Sequence, residues 1–545
     1  MTGKTENARG ANGEAKSGWR QSMAWIHTWL GLLAGWILFA MFLTGTASYF
    51  RPEITRWMQP EVDIAPVSAV HAAMTAVAHM QKIAPQDEQW TIFLPDDRTT
   101  TTRIFTRARP DPDPKAAKPP RRPEIRVDPA TGDPVAARET KGGEHFYRFH
   151  FQLQIPHPWG RWLAGLAAIF MLAAIISGVI THKRIFVDFF TLRWGKGQRS
   201  WLDAHNVSAV IALPFHAMIT YTGLITLVAM YMPWPVAANY QKPATFADAI
   251  YGVQDDGKYL GRRAPLTPIG PLIERVSHEW HGGRPATVIV RNPNDAGATI
   301  QIARSNADTL NARGQTILFS GSSGRRIAAS QPPGVAIETA GVMLGLHMGN
   351  FAGPLLRWTY VLLGMTGTAM VGTGLLLWTA KRRREDVKPF FGFALVERLN
   401  IGTVACLPAG MAAFLLANRL LPADLAGRAD IEVAAMYWTW FGLALLSLAL
   451  PVRRAWIAML GLSAASFLAI PIVNMITTDR GFFASIARGD LLFASFDMVM
   501  LSMAVLLGFG AWRAAQPPKQ AKRVRKPRAA KPPIQMPVRE LTDAA

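Results

Sequence analysis

Apolar residues along this 545-residue chain gather into long runs, and the polar stretches between them follow a different rhythm. The runs are about 20 residues long, enough for an α-helix to cross the hydrocarbon core of a bilayer. They cover Trp25 to Phe50, Trp159 to Thr181, Val207 to Met232, Leu355 to Ala380, Leu399 to Leu421, Val433 to Leu450, Ala455 to Ile476 and Leu491 to Trp512. About eight transmembrane helices are therefore predicted. Between the first and second runs the period changes. VSAVHAAMTAVAHMQKI reads as a helix, and WTIFLP, TTTRIFTRA and EIRVDPATGDPVA alternate as strands do. The segment between the third and fourth runs repeats that order with PIGPLIERVSHEW, ATVIVRN, ATIQIAR and TILFSGSSGRRIA, in which GSSG is a turn rather than a phosphate cradle. The expected fold is a membrane α-helical protein with two small α+β domains outside the bilayer.

Charge fixes the expected orientation. The formal net charge is +21, but the basic residues stand beside span ends: Arg20, HKRIFVDFFTLRWGKGQR, KRRRE, Arg453 with Arg454, and the tail KQAKRVRKPRAAK. The positive-inside rule accounts for that placement without nucleic acid. It puts both termini in the cytoplasm and segments 51–158 and 233–354 outside. The first run is too long for a signal-peptide core and has no small-residue cleavage site, so it reads as a retained anchor. The tail reads as disordered chain touching anionic lipid, and the loop ARPDPDPKAAKPPRRP as disordered too. Cys406 is the single cysteine, which excludes disulfides, thiolate metal sites and covalent haem attachment.

A wider repeat links the spans. In IHTWLGLLAGWILFAMFLTGTA and AHNVSAVIALPFHAMITYTGLI, His27 stands as far before Thr44-Gly45 as His205 stands before Thr222-Gly223. RFHFQLQIPHPWGRWLAG parallels GLHMGNFAGPLLRWTYVLLG, which sets His150 opposite His347 and Ser177-Gly178 opposite Thr373-Gly374. The expected division is a cytoplasmic N-terminus at 1–24, a first repeat at 25–185, a basic loop at 186–204, a second repeat at 205–385, a four-span bundle at 395–513 and a basic tail at 514–545.

These motifs, with HKRIFVDFFTLRWGKGQRSWLDAHN and LHMGNFAG, resemble the PepSY-associated transmembrane proteins over about the first 385 residues. The first repeat departs from the Leu-His-x-Gly form, because Phe149 precedes His150 and Gln152 stands in the glycine's place. The resemblance implies an inner-membrane reductase of iron-loaded siderophores that carries b-type haem.

The histidines suit that expectation on physical grounds. A pseudo-two-fold axis along the membrane normal would bring His27 to the depth of His205 and His150 to that of His347, and two facing imidazoles can grip one haem iron from both sides. The alternative for each is helix-end anchoring or a backbone hydrogen bond. Two b-type haems follow, one near each face. His216 has no mate in the repeat and lies eleven residues after His205, three turns along what would be the same helix face, so it is a candidate ligand in place of an outer histidine. His182, beside Lys183 and Arg184, is a candidate ligand or a contact for a haem propionate or lipid phosphate. His71, His79, His145, His157, His278 and His281 read as exposed or interfacial. Trp25, Trp29, Trp159, Trp162, Trp234 and Trp358 read as an aromatic belt, and Gly31, Gly35, Gly165, Gly364 and Gly367 as close helix packing.

No nicotinamide, flavin or nucleotide-phosphate motif is present in the sequence, so electrons would come from a cytoplasmic donor or quinol and leave for an outside acceptor such as a ferric siderophore. Two other functional classes remain open at this point. One is a non-enzymatic membrane protein whose outside domains bind a periplasmic partner. The other is a transporter built on the last four spans, where Asn418, Asn474 and Asp497 are the polar cues.

Overall fold

A computed structural model describes residues 6–111, 122–182, 192–193, 195–240, 246, 250, 253, 255, 257–332, 334–383 and 390–517. The core of the proline-rich loop, most of the basic loop after the second span, the end of the KRRRE cluster and nearly all of the tail lie outside the described residues.

The chain is a multi-pass membrane protein. Helix α1 (Glu6–Ser48) is followed by the short α2 (Arg51–Met58), by α3 (Ala69–Ile83), and by strands β1 (Gln89–Phe93), β2 (Thr102–Arg107) and β3 (Ile125–Val127). Then come α4 (Gly142–Gln152) and α5 (Trp159–Thr181). The second repeat runs through α6 (Gln198–Ile211), α7 (Leu213–Thr226), α8 (Ile269–Glu279), β4 (Pro285–Arg291), β5 (Thr299–Arg304), β6 (Thr316–Ser320), β7 (Arg326–Ala329), α9 (Val335–Met348) and α10 (Pro354–Arg382). Four more spans complete the chain: α11 (Phe391–Leu420), α12 (Arg428–Leu448), α13 (Val452–Thr477) and α14 (Leu491–Ala515).

Among the described residues seven helices are long and apolar enough to cross a membrane, or eight if the α6–α7 pair, bent by 69° at its break, counts as one span. Pro214 explains the break, because it has no N–H to give to a carbonyl one turn earlier. His205 and His216 therefore do not share one straight helix face, and the three-turn ladder expected from their spacing does not exist. The equivalent span in the first repeat, α1, has no proline at that place and is continuous.

The two α+β units join edge to edge. Their strands form one antiparallel sheet in the order β3-β2-β1-β4-β5-β6-β7, and β1 pairs with β4 around Thr91 opposite Ile289. This centre relates β1, β2 and β3 to β4, β5 and β6, as the sequence repeat requires. Period-two alternation sends Trp90, Ile92, Val288, Val290, Ile300, Ile302 and Phe319 to one face, where α3 and α8 cover them with Ala72, Ala76, Met80, Ile273 and Val276. The GSSG stretch is the turn between β6 and β7.

Below the sheet α1, α5, α6–α7 and α10 form the repeat bundle, with α1 packed on α5 and α10, and α7 on α5. The last four spans pack beside it against α1, α2 and α4. The predicted belt tryptophans, among them Trp25, Trp159 and Trp234, are exposed on the surface.

Candidate functional site

Four histidines meet as two pairs. The rings of His27 and His205 have centroids 6.1 Å apart at the end of the bundle away from the sheet. Those of His150 and His347 are also 6.1 Å apart, at the sheet end. Each pair joins the two repeats, α1 to α6 and α4 to α9.

The same seat holds all four rings. His27 Nδ1 lies 2.8 Å from the Ala174 carbonyl, His205 Nδ1 2.8 Å from that of Met370, His150 Nδ1 2.7 Å from that of Met41, and His347 Nδ1 3.1 Å from that of Ile219. In every case that carbonyl stands four residues before the glycine of a Ser/Thr-Gly pair: Gly178, Gly374, Gly45 and Gly223. A Cβ at Gly45 would come 2.5 Å from His150 Nδ1, and one at Gly223 2.8 Å from His347 Cε1. At Gly178 and Gly374 the approach to His27 and His205 would be 3.0 and 3.1 Å. At Gly45 and Gly223 a side chain would block the imidazole from the helix backbone, and at Gly178 and Gly374 it would crowd the ring. The preceding hydroxyl bonds back along its own helix, and Ser177, Thr222 and Thr373 each reach the carbonyl that also receives the histidine.

This seat sets the chemistry. A carbonyl can only accept, so Nδ1 carries the proton in each ring and Nε2 keeps its lone pair. Among the described residues no Nε2 of these four has a hydrogen-bond partner. A fixed tautomer with Nδ1–H on a carbonyl is how metal-binding histidines are oriented. A metal sits about 2.0–2.1 Å from a bound imidazole nitrogen, so two rings gripping one ion from opposite sides have centroids about 6 Å apart. No group of three or more His, Cys, Asp or Glu side chains suited to a metal ion occurs among the described residues. Two imidazoles alone make a poor site for a free ion. They would suit an iron that brings nitrogen ligands of its own, so each pair could hold a b-type haem.

The other candidates fall elsewhere. His216 is fully buried on α7, with Nε2 3.3 Å from Thr366 Oγ1 and its ring edge-on to Phe42. It faces no second histidine. His182 caps the end of α5 and its Nε2 accepts from Asn206 Nδ2 at 3.2 Å, next in sequence to His205. His71, His157, His278 and His281 are exposed and His79 is half-buried. His145 is the exception: expected to be exposed or interfacial, it is 4% exposed. It lies on α4, which packs into α11 and α12, so its ring rests on Phe414 and Tyr437 with Nε2 3.3 Å from Met436 Sδ. Burial, with a smaller push from the Lys141 ammonium, lowers its pKa to about 4.

The structure also accounts for Gln152. In the second repeat the helix ends at Gly349, with φ +62°, two residues after His347. In the first, α4 runs one residue further and the left-handed position passes to Leu153, with φ +55°, so Gln152 is ordinary helix. Of the glycines read as helix packing, Gly35 abuts Leu375, Gly165 abuts Tyr231, Gly364 abuts Thr46, and Gly367 abuts Phe42 and His216, while Gly31 faces open space. The Ser/Thr-Gly seats are what sequence reasoning missed. It used them as register marks, although four recurrences at fixed distances from four histidines were the available signal.

A family model described as the PepSY-associated TM region matches residues 24–381. The chain is also 25% identical over 399 residues to Uncharacterized protein PA4219 of Pseudomonas aeruginosa, an alignment covering 68% of this chain and 95% of that protein.

Proposed function

The chain belongs to the PepSY-associated transmembrane family, and from that premise and its two facing histidine pairs we propose that it is a membrane oxidoreductase holding two b-type haems. His27 and His205 hold one, and His150 and His347 the other. The haem, when bound, supplies a one-electron centre. The protein's part is to fix four imidazoles in the Nδ1–H tautomer, to keep them in an apolar bundle, and to set one pair near each face. This allows electrons to cross from a cytoplasmic donor or a quinol to an acceptor on the sheet side, and a ferric siderophore is the acceptor we favour. Hard oxygen chelators bind ferrous iron less well than ferric, so one electron loosens the complex.

The observation that carries this reading is the identical seat at all four histidines. Packing alone requires neither the free Nε2 nor the repeated spacing. Difference spectra of detergent-purified protein, oxidised against dithionite-reduced, test it together with a pyridine haemochrome count. About two low-spin haems per chain are expected. Haem-free protein from cells with ample haem sinks the reading. Mixing reduced protein with ferric siderophores and a ferrous trap then tests the acceptor: if a quinone oxidises it at once and siderophores leave it reduced, the chain is a quinone-linked carrier instead.

The basic span ends support an orientation with the sheet outside and both termini in the cytoplasm, and the reading places the chain in a bacterial inner membrane. Reporter fusions after Trp57 and Arg263 should read outside, and those after Arg193 and the tail inside.

A further inference from the structure

The face of the sheet away from α3 and α8 carries an unusual set of side chains. Cross-strand pairing places Phe93 beside Arg103, Thr91 beside Phe105, and Arg103 beside Arg126. Four arginines share this face, and three are matched: Arg107 with Glu88, Arg126 with Glu124 and Arg291 with Asp255. Arg103 is not. Among the described residues it has no carboxylate and no hydrogen-bond acceptor, and its Nε is buried without a partner. Its guanidinium lies 5.3 Å from the centre of the Phe93 ring, which stands edge-on to Phe105 at 5.8 Å. Phe105 is 40% exposed. Two like charges directly across an antiparallel pair repel, and an unpaired guanidinium on a half-buried face forgoes the strong hydrogen bonds it is shaped to make. An anion would supply what is missing.

The position of this patch bears on function. The turn from β1 to β2 carries Arg98, which grips both oxygens of Glu53 and the Tyr49 carbonyl. Tyr49 in turn donates its hydroxyl to the His347 carbonyl at 3.3 Å. Phe93 and Arg103 flank that turn, so the membrane-proximal row of the face is tied by two side chains to the helix bearing an outer histidine.

Resting on the oxidoreductase reading above, we propose that Arg103, Phe93 and Phe105 dock the outside electron acceptor, and that this acceptor is an anionic ferric chelate carrying aromatic rings, of the catecholate or phenolate kind. The guanidinium meets the negative oxygens around the metal. Phe93 and Phe105 take the ligand rings edge-on or offset. A neutral hydroxamate chelate offers neither feature.

Gallium complexes separate docking from electron transfer, because gallium(III) matches the charge and shape of iron(III) and accepts no electron under these conditions. Calorimetric titration of the full chain in detergent would compare gallium tris(2,3-dihydroxybenzoate) with gallium tris(acetohydroxamate). The catecholate complex should bind more tightly, and less so in high salt. Arg103→Gln should weaken it about tenfold while Arg103→Lys retains part of the affinity. Phe105→Ala, at an exposed site where folding is not at stake, should weaken it about threefold to tenfold. Hydroxamate binding should stay within about twofold throughout. Equal catecholate affinity in wild type and Arg103→Gln overturns the proposal, as does preference for the hydroxamate or no heat from either complex. Haem content measured on the same samples keeps the two readings apart, since haem-free protein that still binds the catecholate would remove electron transfer and leave the docking site standing.

Discussion

The repeat bundle and the four appended spans both bury polar side chains in the membrane domain, yet they leave them in different states. In the repeat bundle each paired histidine spends one ring nitrogen on a carbonyl and keeps the other free. In the appended spans the ionic groups consume one another. Arg428, with no exposed side-chain surface, bonds Glu432 and the carbonyls of Glu139, Pro422, Asn418 and Leu421. Glu432 also accepts from Asn418 and Thr140, and Arg419 spans Asn418, Asn474 and the Trp57 carbonyl while lying over the Trp57 ring. Both carboxylate oxygens of Asp497 accept from Asn474 Nδ2. A closed network fixes which helices sit together, whereas the free Nε2 atoms of the histidine pairs stay available to a ligand. Asn418, Asn474 and Asp497 therefore work as clasps between α11, α13, α14 and α2.

The largest expected effect tests the free side of that contrast. His205→Ala should remove about half of the bound haem and leave the sheet-side spectrum, and His347→Ala should do the reverse. Gly45→Ala, which changes no ligand, should disturb the sheet-side spectrum alone, because its Cβ would intrude on His150. If His216→Ala removes a low-spin signal that His150→Ala spares, the pairing is wrong.

The closed side should respond in stability and not in spectrum. Glu432→Ala strands a fully buried Arg428, and breaking a buried pair in this way costs about 3–5 kcal/mol. The readout is the melting midpoint of the detergent-purified protein. A fall in haem content with no fall in that midpoint would mean the network belongs to the site after all.

Much of this contrast was legible beforehand, and its limits are physical. Span ends for α5 and the pairing of four histidines could be read because hydropathy and a repeat are local in sequence. The join of β1 to β4 could not, since edge pairing between distant strands leaves no mark in either. His145 was misplaced for a similar reason: amphipathic α4 looks interfacial until α11 and α12 cover it. The bend at Ala212 was foreseeable from Pro214, but a bilayer helix often carries proline with little distortion, so composition gave no angle.

His145 offers an intermediate effect with a defined pH window. Burial holds its pKa in the folded chain at about 4, below the 6.5 of an unfolded imidazole. On falling through pH 6.5 the unfolded chain takes up a proton that the folded chain refuses. The stability this neutral ring provides is thus complete above about pH 6.5 and drains away toward pH 4, by up to about 3 kcal/mol. The melting midpoint should drop over that interval, and His145→Leu should flatten the drop. An unchanged slope would mean that His145 titrates normally and that α4 sits loosely against the appended spans.

The smallest effect concerns the clasp nearest the repeat bundle. Asn400 accepts from Trp36 Nε1 at 2.9 Å and donates to the Leu375 carbonyl at 3.2 Å, so one amide ties α11 to both α1 and α10. It stands just before the π-helical turn Ile401–Cys406, where widened backbone frees the Gly402 and Ala405 carbonyls for Trp440 and Ser463. Asn400→Leu keeps the branched shape and the number of heavy atoms but leaves the Trp36 indole N–H without its partner, a loss of about 1–3 kcal/mol. Because the Leu375 side chain fills the space at Gly35, where α1 meets α10, loosening it acts on the surface between the two repeats and on no histidine directly. The expected result is a slightly lower melting midpoint with both haem spectra intact. A selective change at the His27–His205 pair would show instead that the appended spans help set the distance between those rings, and the line between clasp and site would have to move inward to include Asn400.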